Sequence, residues 1–218
     1  MKTVVLSVGG SVIVQDSINV AFLESLVALV RSRSERFIIV VGGGKVFRTY
    51  LNAAPQASDE DRDWIGIAAT HLNAQLVRSY FGKEAHEAVI VNPTIKVKTS
   101  KRILVAGGWK PGHSTDHDAV ELAAVYDAKQ VINVTNVDYL YNDDPRANPG
   151  AQKIEQATWA QLKKLVGEKW KPGLNAPFDP IATQRAAALG LELILVGADV
   201  NNLRRFLENK PFKGTRVR

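Results

Sequence analysis

Two short β-branched runs that each end in glycine constrain this chain more than any other feature. Thr3–Val8 leads into Gly9-Gly10-Ser11, and residues 37–41 lead into Gly42-Gly43-Gly44. Between them Ala21, Phe22, Leu26, Leu29 and Val30 recur at roughly helical spacing. Short apolar runs bounded by glycine read as buried strands and the helical period as a covering helix, so this stretch reads as a β-α-β unit. Both glycine loops would then lie at the carboxyl edge of one sheet. Three consecutive glycines after a buried strand expose backbone N–H groups with no Cβ to hold a ligand away, which favours an anion. The helix expected to begin near Lys45 adds a positive dipole end, worth about 0.3–1 kcal/mol per favourable charge. Lys45 and Arg48 fall within its first turn. A tight strand-to-helix turn explains one or two of the glycines; the third, followed by two cations, favours phosphate. Two such loops facing each other suit phosphoryl transfer between two phosphorylated ligands, a reaction that depends mainly on alignment and charge stabilisation.

The rest of the chain continues the alternation. Residues 63–80 read as a helix, 88–91 and 102–106 as strands, and 118–126 as a helix feeding a strand at 130–134. Asn142-Asp143-Asp144-Pro145 and Asn148-Pro149-Gly150 are turn signals that mark a long excursion, with a subdomain boundary near residue 135. Thr158 and Gln161 have the spacing of a capping box for a helix through Val166, and Asp179-Pro180 sets a cap before a proline at the first helical position. A strand at 191–196 and a helix at 199–207 complete a mainly parallel sheet covered by helices.

Composition narrows the function classes. With 218 residues, 45% hydrophobic and 23% charged, the chain can bury the core of one large domain or two small ones. The absence of cysteine excludes disulfide frameworks, thiolate zinc sites and cysteine nucleophiles. The longest apolar runs are too short to cross a bilayer, and Met1-Lys2 leads straight into a strand-like segment, so no membrane association and a cytoplasmic location are expected. Twenty-eight basic against 22 acidic residues give a net charge of +6, which reads as a solvated basic surface. The densest cluster, Lys96, Lys98, Lys101 and Arg102, has no interleaved aromatic residues, and no nucleic-acid partner is expected. There is no P-loop, and Phe47 stands at the third glycine of a dinucleotide fingerprint. The stretch from Gly112 to Asp116 lacks the final glycine of a nucleophile elbow. His113 and His117, with Asp116 and Asp118 nearby, are not in an H-E-x-x-H arrangement; they read as hydrogen-bonding or substrate-contacting groups, and no resident metal is expected.

Five motifs occur in a telling order: Val8-Gly9-Gly10-Ser11; Val40-Val41-Gly42-Gly43-Gly44-Lys45; Thr115-Asp116; Thr135-Asn136-Val137-Asp138 with Asp144-Pro145; and Asp179-Pro180. Together they resemble the amino-acid kinase superfamily, and within it the UMP kinases (uridylate kinases) of the archaeal type. The resemblance implies an α/β/α sandwich in which residues 1–134 bind the acceptor UMP and residues 135–218 hold ATP. It implies ATP-dependent conversion of UMP to UDP in pyrimidine nucleotide biosynthesis, with Mg²⁺ carried in by ATP, in a homohexamer. On the acceptor side it points to Gly42, Gly43, Asp63, Trp109, His113, Ser114, Thr115 and Asp116. On the ATP side it points to Gly9, Gly10, Ser11, Gly44, Arg48, Thr135, Asn136, Asp138, Tyr141 and Asp144. Asp179 matches the acid that organises the transfer centre, although a simple helix cap worth about 1 kcal/mol also fits it; Asp63 likewise fits an ordinary helix N-terminal acid.

The sequence departs from that pattern at three places. Many relatives carry lysine two positions before the first glycines, where Ser7 stands, which leaves Lys45 and Lys171 as candidate catalytic cations. Val137-Asp138-Tyr139-Leu140-Tyr141 lacks a glycine of the nucleotide loop, and Trp109, Lys110 and His113 fill a loop that is commonly threonine- and asparagine-like. Two alternatives follow: a kinase for another small acceptor, such as isopentenyl phosphate or an amino acid, or a non-catalytic nucleotide-binding regulator or storage protein.

Overall fold

The computed structural model describes every residue except Asp144, Arg146, Pro172, Gly173 and Asn175. In chain order the elements are β1 (Thr3–Val8), α1 (Gly10–Ile13), α2 (Val20–Arg31), β2 (Arg36–Val41), α3 (Gly44–Ala53), α4 (Asp59–Phe81), β3 (Ile103–Ala106), α5 (Thr115–Val125) and β4 (Gln130–Thr135). The remainder comprises β5 (Leu140–Tyr141), β6 (Lys153–Ile154), β7 (Gln156–Ala157), α6 (Trp159–Val166), α7 (Pro180–Ala188), β8 (Glu192–Gly197), α8 (Val200–Leu207) and β9 (Thr215–Val217). Seven strands form one sheet in the order β3-β2-β1-β4-β8-β9-β7, while β5 and β6 pair as a separate ribbon. Only the β8–β9 pairing within the large sheet is antiparallel. No helix among the described residues is long and apolar enough to cross a membrane.

The two-residue strand period sorts the core into two layers. Val4, Leu6 and Val8 of β1 pack with Leu23, Leu26, Val77, Phe81, Leu203 and Phe206 of α2, α4 and α8. Val5 belongs to the opposite layer, with Val120, Leu162 and Ala182 of α5, α6 and α7. Both faces of the sheet are therefore covered, as the near-continuous apolar runs of its parallel strands require. Each fully buried side chain such as Phe37, Leu104 or Phe178 contributes about 1.5–3 kcal/mol. Ser7 has the parity of Val5 and so points toward α5.

Most boundaries fall where the sequence puts them, and the differences have local causes. Helix α4 starts four residues before 63 because Ser58 caps it, its Oγ accepting from the Asp61 N–H at 3.1 Å. Asp59, Glu60 and Asp61 complement the dipole in that extra turn. Residues 88–91 do not make a strand; they contribute one bridge, Ile90 to Ala106. The capping box at Thr158 forms as its spacing predicts, and Asp179 caps α7 ahead of Pro180.

Candidate active site

The glycine runs after β1 and β2 meet backbone to backbone. A Cβ on Gly10 would lie 2.0 Å from the Gly44 nitrogen and 2.5 Å from the Gly42 carbonyl. A Cβ on Gly44, where φ is +60°, would lie 2.3 Å from the Gly10 oxygen. Glycine is therefore required here by close approach, and at Gly44 by conformation as well. The Gly9 N–H donates to Val134 O and the Gly42 N–H to Val8 O, which ties the loops to the strand ends. As helix-start positions, Gly10, Ser11, Gly43 and Gly44 present N–H groups without intrahelical acceptors.

Three chambers open along this edge. The central one, about 530 Å³, is walled by Gly9, Gly10, Ser11, Gly42, Gly44, Arg48, Thr115, Asp116, Thr135 and Asn136. Through Thr135, Asn136, Ala176 and Pro177 it adjoins an outer chamber of about 280 Å³ that also contains Tyr139 and Tyr141. Through Phe47, Thr115 and Trp170 it adjoins an inner chamber of about 130 Å³ lined by Gly43, Asp63, Trp109, His113 and Ser114. The structure thus gathers nearly all of the residues singled out from the sequence along one cleft. Several stand elsewhere. The Asp138 carboxylate lies against Gly197 and faces none of the chambers. Lys45 turns its Nζ outward to Asp16 and its N–H to Val14 O, and Lys171 is exposed and lines no chamber. Among the described residues Arg48 is the cation the cleft contains. Asp144 lies outside the described residues.

A chain of hydrogen bonds supports the floor of the central chamber. Ser7 Oγ donates to Asp116 Oδ1 at 2.7 Å, and the Asp179 N–H donates to Asp116 Oδ2 at 3.2 Å. Asp179, 3% exposed, accepts from the Ala182 N–H through Oδ1 and from the Ser114 N–H through Oδ2, at 2.8 and 2.9 Å. It caps α7 and fixes the start of α5 at once, while remaining one layer behind the cleft wall. Burial pushes the Asp116 carboxyl up to about 7; the Ser7 hydrogen bond opposes this and the neighbouring Asp179 charge adds to it.

Helix α4 positions the acceptor end through residues that carry no motif. Asn73 Nδ2 donates to Gly42 O and Gly43 O at 2.9 and 3.1 Å. Thr70 Oγ1 accepts from the Gly108 N–H at 2.7 Å, and His71 Nε2 meets Gly108 O at 2.7 Å. Asp63 Oδ2 accepts from the Gly112 N–H at 2.8 Å, so it holds the 107–114 loop as well as lining the inner chamber. Asn133 on β4 likewise secures Pro177 O at 2.9 Å. Trp170 spans the junction of the inner and central chambers, and its Nε1–H is buried without a hydrogen-bond partner among the described residues. In the wall beyond the inner chamber, burial raises the Asp118 carboxyl and lowers the His117 imidazole from their ordinary values.

The profile of the amino acid kinase family matches residues 2–197. The chain belongs to this family. Uridylate kinase of Pyrococcus abyssi is 34% identical over 89% of each chain, and that of Methanospirillum hungatei is 34% identical over 100% of this chain and 95% of its own. Among solved structures, the uridylate kinase of Archaeoglobus fulgidus superposes with a TM-score of 0.83 at 32% identity, covering both chains in full. The UMP kinase of Ureaplasma parvum shares the fold at 22% identity with a TM-score of 0.77, covering 99% of this chain and 98% of its own. In this chain a glycine-lined sheet edge lies between the outer and inner chambers.

Proposed function

We propose that this chain is an ATP-dependent UMP kinase. The observation that carries the reading is the continuity of the three chambers, with the bare glycine backbone between the outer and inner ones. Full-length similarity to uridylate kinases supports it. The ATP base and ribose occupy the outer chamber against Thr135, Asn136 and Tyr141. Its phosphates run over Gly9, Gly10, Ser11 and Gly44 toward Arg48. UMP enters the inner chamber, its nucleoside part against Asp63, Trp109, His113, Ser114 and Thr115, its phosphate on Gly42 and Gly43. In this reading residues 1–134 form the acceptor side together with the loops under the ATP phosphates, and residues 135–218 the pocket for the ATP base and ribose, with Trp170 reaching across.

The reaction is an in-line displacement. A UMP phosphate oxygen attacks the γ-phosphorus, the bond to the β,γ-bridging oxygen breaks, and ADP departs with that electron pair. A phosphomonoester with a second pKa near about 6 is already ionised at neutral pH, so no general base is needed. Mg²⁺ enters as part of the nucleotide substrate, its oxygen ligands supplied by the phosphates and water. Helix-start amides, Arg48 and the Trp170 N–H stabilise the migrating charge, while Asp116 and Asp179 position the loops that present those donors. With UDP as its product, the proposed role is in pyrimidine nucleotide biosynthesis, with a cytoplasmic location expected. Exposed Tyr50, Trp64 and Leu72 on α3 and α4 support self-association into the expected homohexamer, which sedimentation tests.

The deciding experiment is a coupled ADP-release assay with MgATP and, separately, UMP, CMP, isopentenyl phosphate, glutamate and aspartate. UMP is expected to be turned over with the highest kcat/KM. Preference for another acceptor overturns the substrate assignment, and ATP binding without turnover on any acceptor overturns the enzymatic one.

A further inference from the structure

At the wall of the inner chamber, His113 of the proposed acceptor site converges with two side chains that the transfer reaction does not use. His113, in the loop before α5, meets His117 and Asp118 from the first turn of that helix, and one ligand atom from each lies within 4.8 Å of the others. We infer that these three residues bind a late first-row divalent cation, with Zn²⁺ the fitting occupant. Two imidazoles and one carboxylate suit Zn²⁺, Co²⁺ or Ni²⁺, whereas Mg²⁺ and Ca²⁺ prefer all-oxygen sets. His113 Nε2 and Asp118 Oδ1 stand 3.1 Å apart. That is close to the edge of a tetrahedron with bonds of about 2.0–2.1 Å, roughly 3.3 Å.

The plain alternative is a hydrogen-bonded His113–Asp118 pair in the wall of the inner chamber. It accounts for the 3.1 Å contact and leaves the third member unexplained. His117 Nδ1 is buried and has no hydrogen-bond partner among the described residues. A buried ring nitrogen without a partner carries a desolvation cost that a metal bond removes. The other ring nitrogen, Nε2, faces Glu121 Oε1 at 3.7 Å, and Arg185 anchors that carboxylate at 2.6 Å. A carboxylate behind an imidazole is the usual outer support of a metal-binding histidine. Asp118 is 1% exposed, and its second oxygen accepts from the Trp109 N–H at 3.1 Å, which orients the first toward the two rings. The dipole of α5 disfavours a cation at this end, an effect that a buried carboxylate and two imidazole bonds outweigh. His113 also lines the inner chamber, so the ion would be held beside the proposed acceptor site.

The test uses the full, untagged chain stripped with EDTA and no nucleotide. Co²⁺ is titrated in by visible absorption, and Zn²⁺ by calorimetry. One equivalent of Co²⁺ with the intense d–d bands of a four- or five-coordinate site is expected, displaced by Zn²⁺ and unaffected by millimolar Mg²⁺. His117→Asn should weaken Co²⁺ binding by at least about 100-fold, since even outer-sphere partners are worth 10–100-fold. Its metal-free melting temperature reports whether it folds, and His117→Gln serves as the second variant. The remote His86→Asn should bind as the parent does. Absence of saturable one-to-one binding, or equal affinity in a folded His117→Asn variant, overturns the site. Because no substrate is present, that failure is distinct from failure of the kinase assignment.

Discussion

Alanine at Gly10 tests the central claim that the two glycine loops must touch. The added Cβ would lie 2.0 Å from Gly44 N and 2.5 Å from both the carbon and the oxygen of Gly42, all backbone atoms that no rotamer change can move. The loops would have to part by more than about 1 Å, an overpacking that typically costs about 1–3 kcal/mol and occasionally more. Gly44→Ala meets the Gly10 carbonyl at 2.3 Å and also forces a side chain to φ +60°, which adds about 1–2 kcal/mol. Gly190 supplies the control: its φ is +62°, yet nothing lies within 4 Å of a Cβ there, so Gly190→Ala carries the backbone cost alone. The difference between Gly44→Ala and Gly190→Ala in urea unfolding therefore isolates the steric contact at about 1–3 kcal/mol, provided the m-value is unchanged. A displacement of about 1 Å at the transfer point should lower kcat by about 10²-fold in Gly10→Ala, while Gly190→Ala keeps its turnover. If Gly44→Ala is no less stable than Gly190→Ala, or Gly10→Ala retains turnover within threefold, the loops do not depend on this contact.

Steady-state kinetics should separate the cations: Arg48→Ala loses about 10²–10³ in kcat/KM for ATP, whereas Lys45→Ala and Lys171→Ala each remain within about threefold. Trp170→Phe keeps an aromatic ring, smaller than the indole, and loses the N–H, and kcat should fall about 3- to 10-fold with little change in melting temperature. In Asp179→Asn one carboxylate oxygen becomes an amide donor facing either Ser114 N–H or Ala182 N–H, so turnover should fall even though a bare helix cap tolerates asparagine. For Asp116 the sign follows from the direction of the shift: a carboxyl raised from 3.8 to about 7 makes the native state hold the extra proton, so stability is greatest at low pH and declines as pH rises through that interval. The decline amounts to at most about 4 kcal/mol, and Asp116→Asn should flatten it in urea unfolding series between pH 4 and 8.

The elements were legible because period and punctuation agreed. Strands β1 and β2 announce themselves by apolar runs that stop at glycine, and α6 and α7 by capping residues at the proper offset. The meeting of the two glycine loops was legible for the same reason: only glycine can stand where Gly10, Gly42 and Gly44 approach each other. What the sequence could not show is which side chains a fold brings together from remote positions. Lys45 follows the glycine run and looks poised for phosphate, yet its place on α3 carries its Nζ to Asp16. Arg48, one turn later, is the residue the helix turns toward the cleft. Asn73, Thr70 and Asn133 were missed because each sits inside an ordinary helix or strand; the one available signal was a polar residue on an otherwise apolar face. Trp170 lies just beyond the end of α6 at Val166, outside any periodic segment, and nothing local marks its indole as a cleft-facing donor.

Ser7 explains why Asp116 has so unusual a carboxyl. Where the resembled kinases carry lysine, this chain has a hydroxyl on the sheet face that meets α5, so the carboxylate opposite it gains a hydrogen bond without a neutralising charge. Burial then favours the protonated form, and Asp179 next to it pushes in the same direction. A phosphoryl group passing through the central chamber adds negative charge, which raises the carboxyl further and makes its neutral form prevail. In the proposed reaction a protonated Asp116 lessens repulsion in this wall, and attraction is left to backbone amides and Arg48. Such a site gains charge stabilisation chiefly from fixed dipoles, so its efficiency rests on how rigidly the glycine loops are held. The hydrogen bonds that hold the loops come from Asn73, Asp179 and the strand-end contacts of Gly9 and Gly42, so in the proposed reaction substitution of these supporting groups is expected to lower turnover.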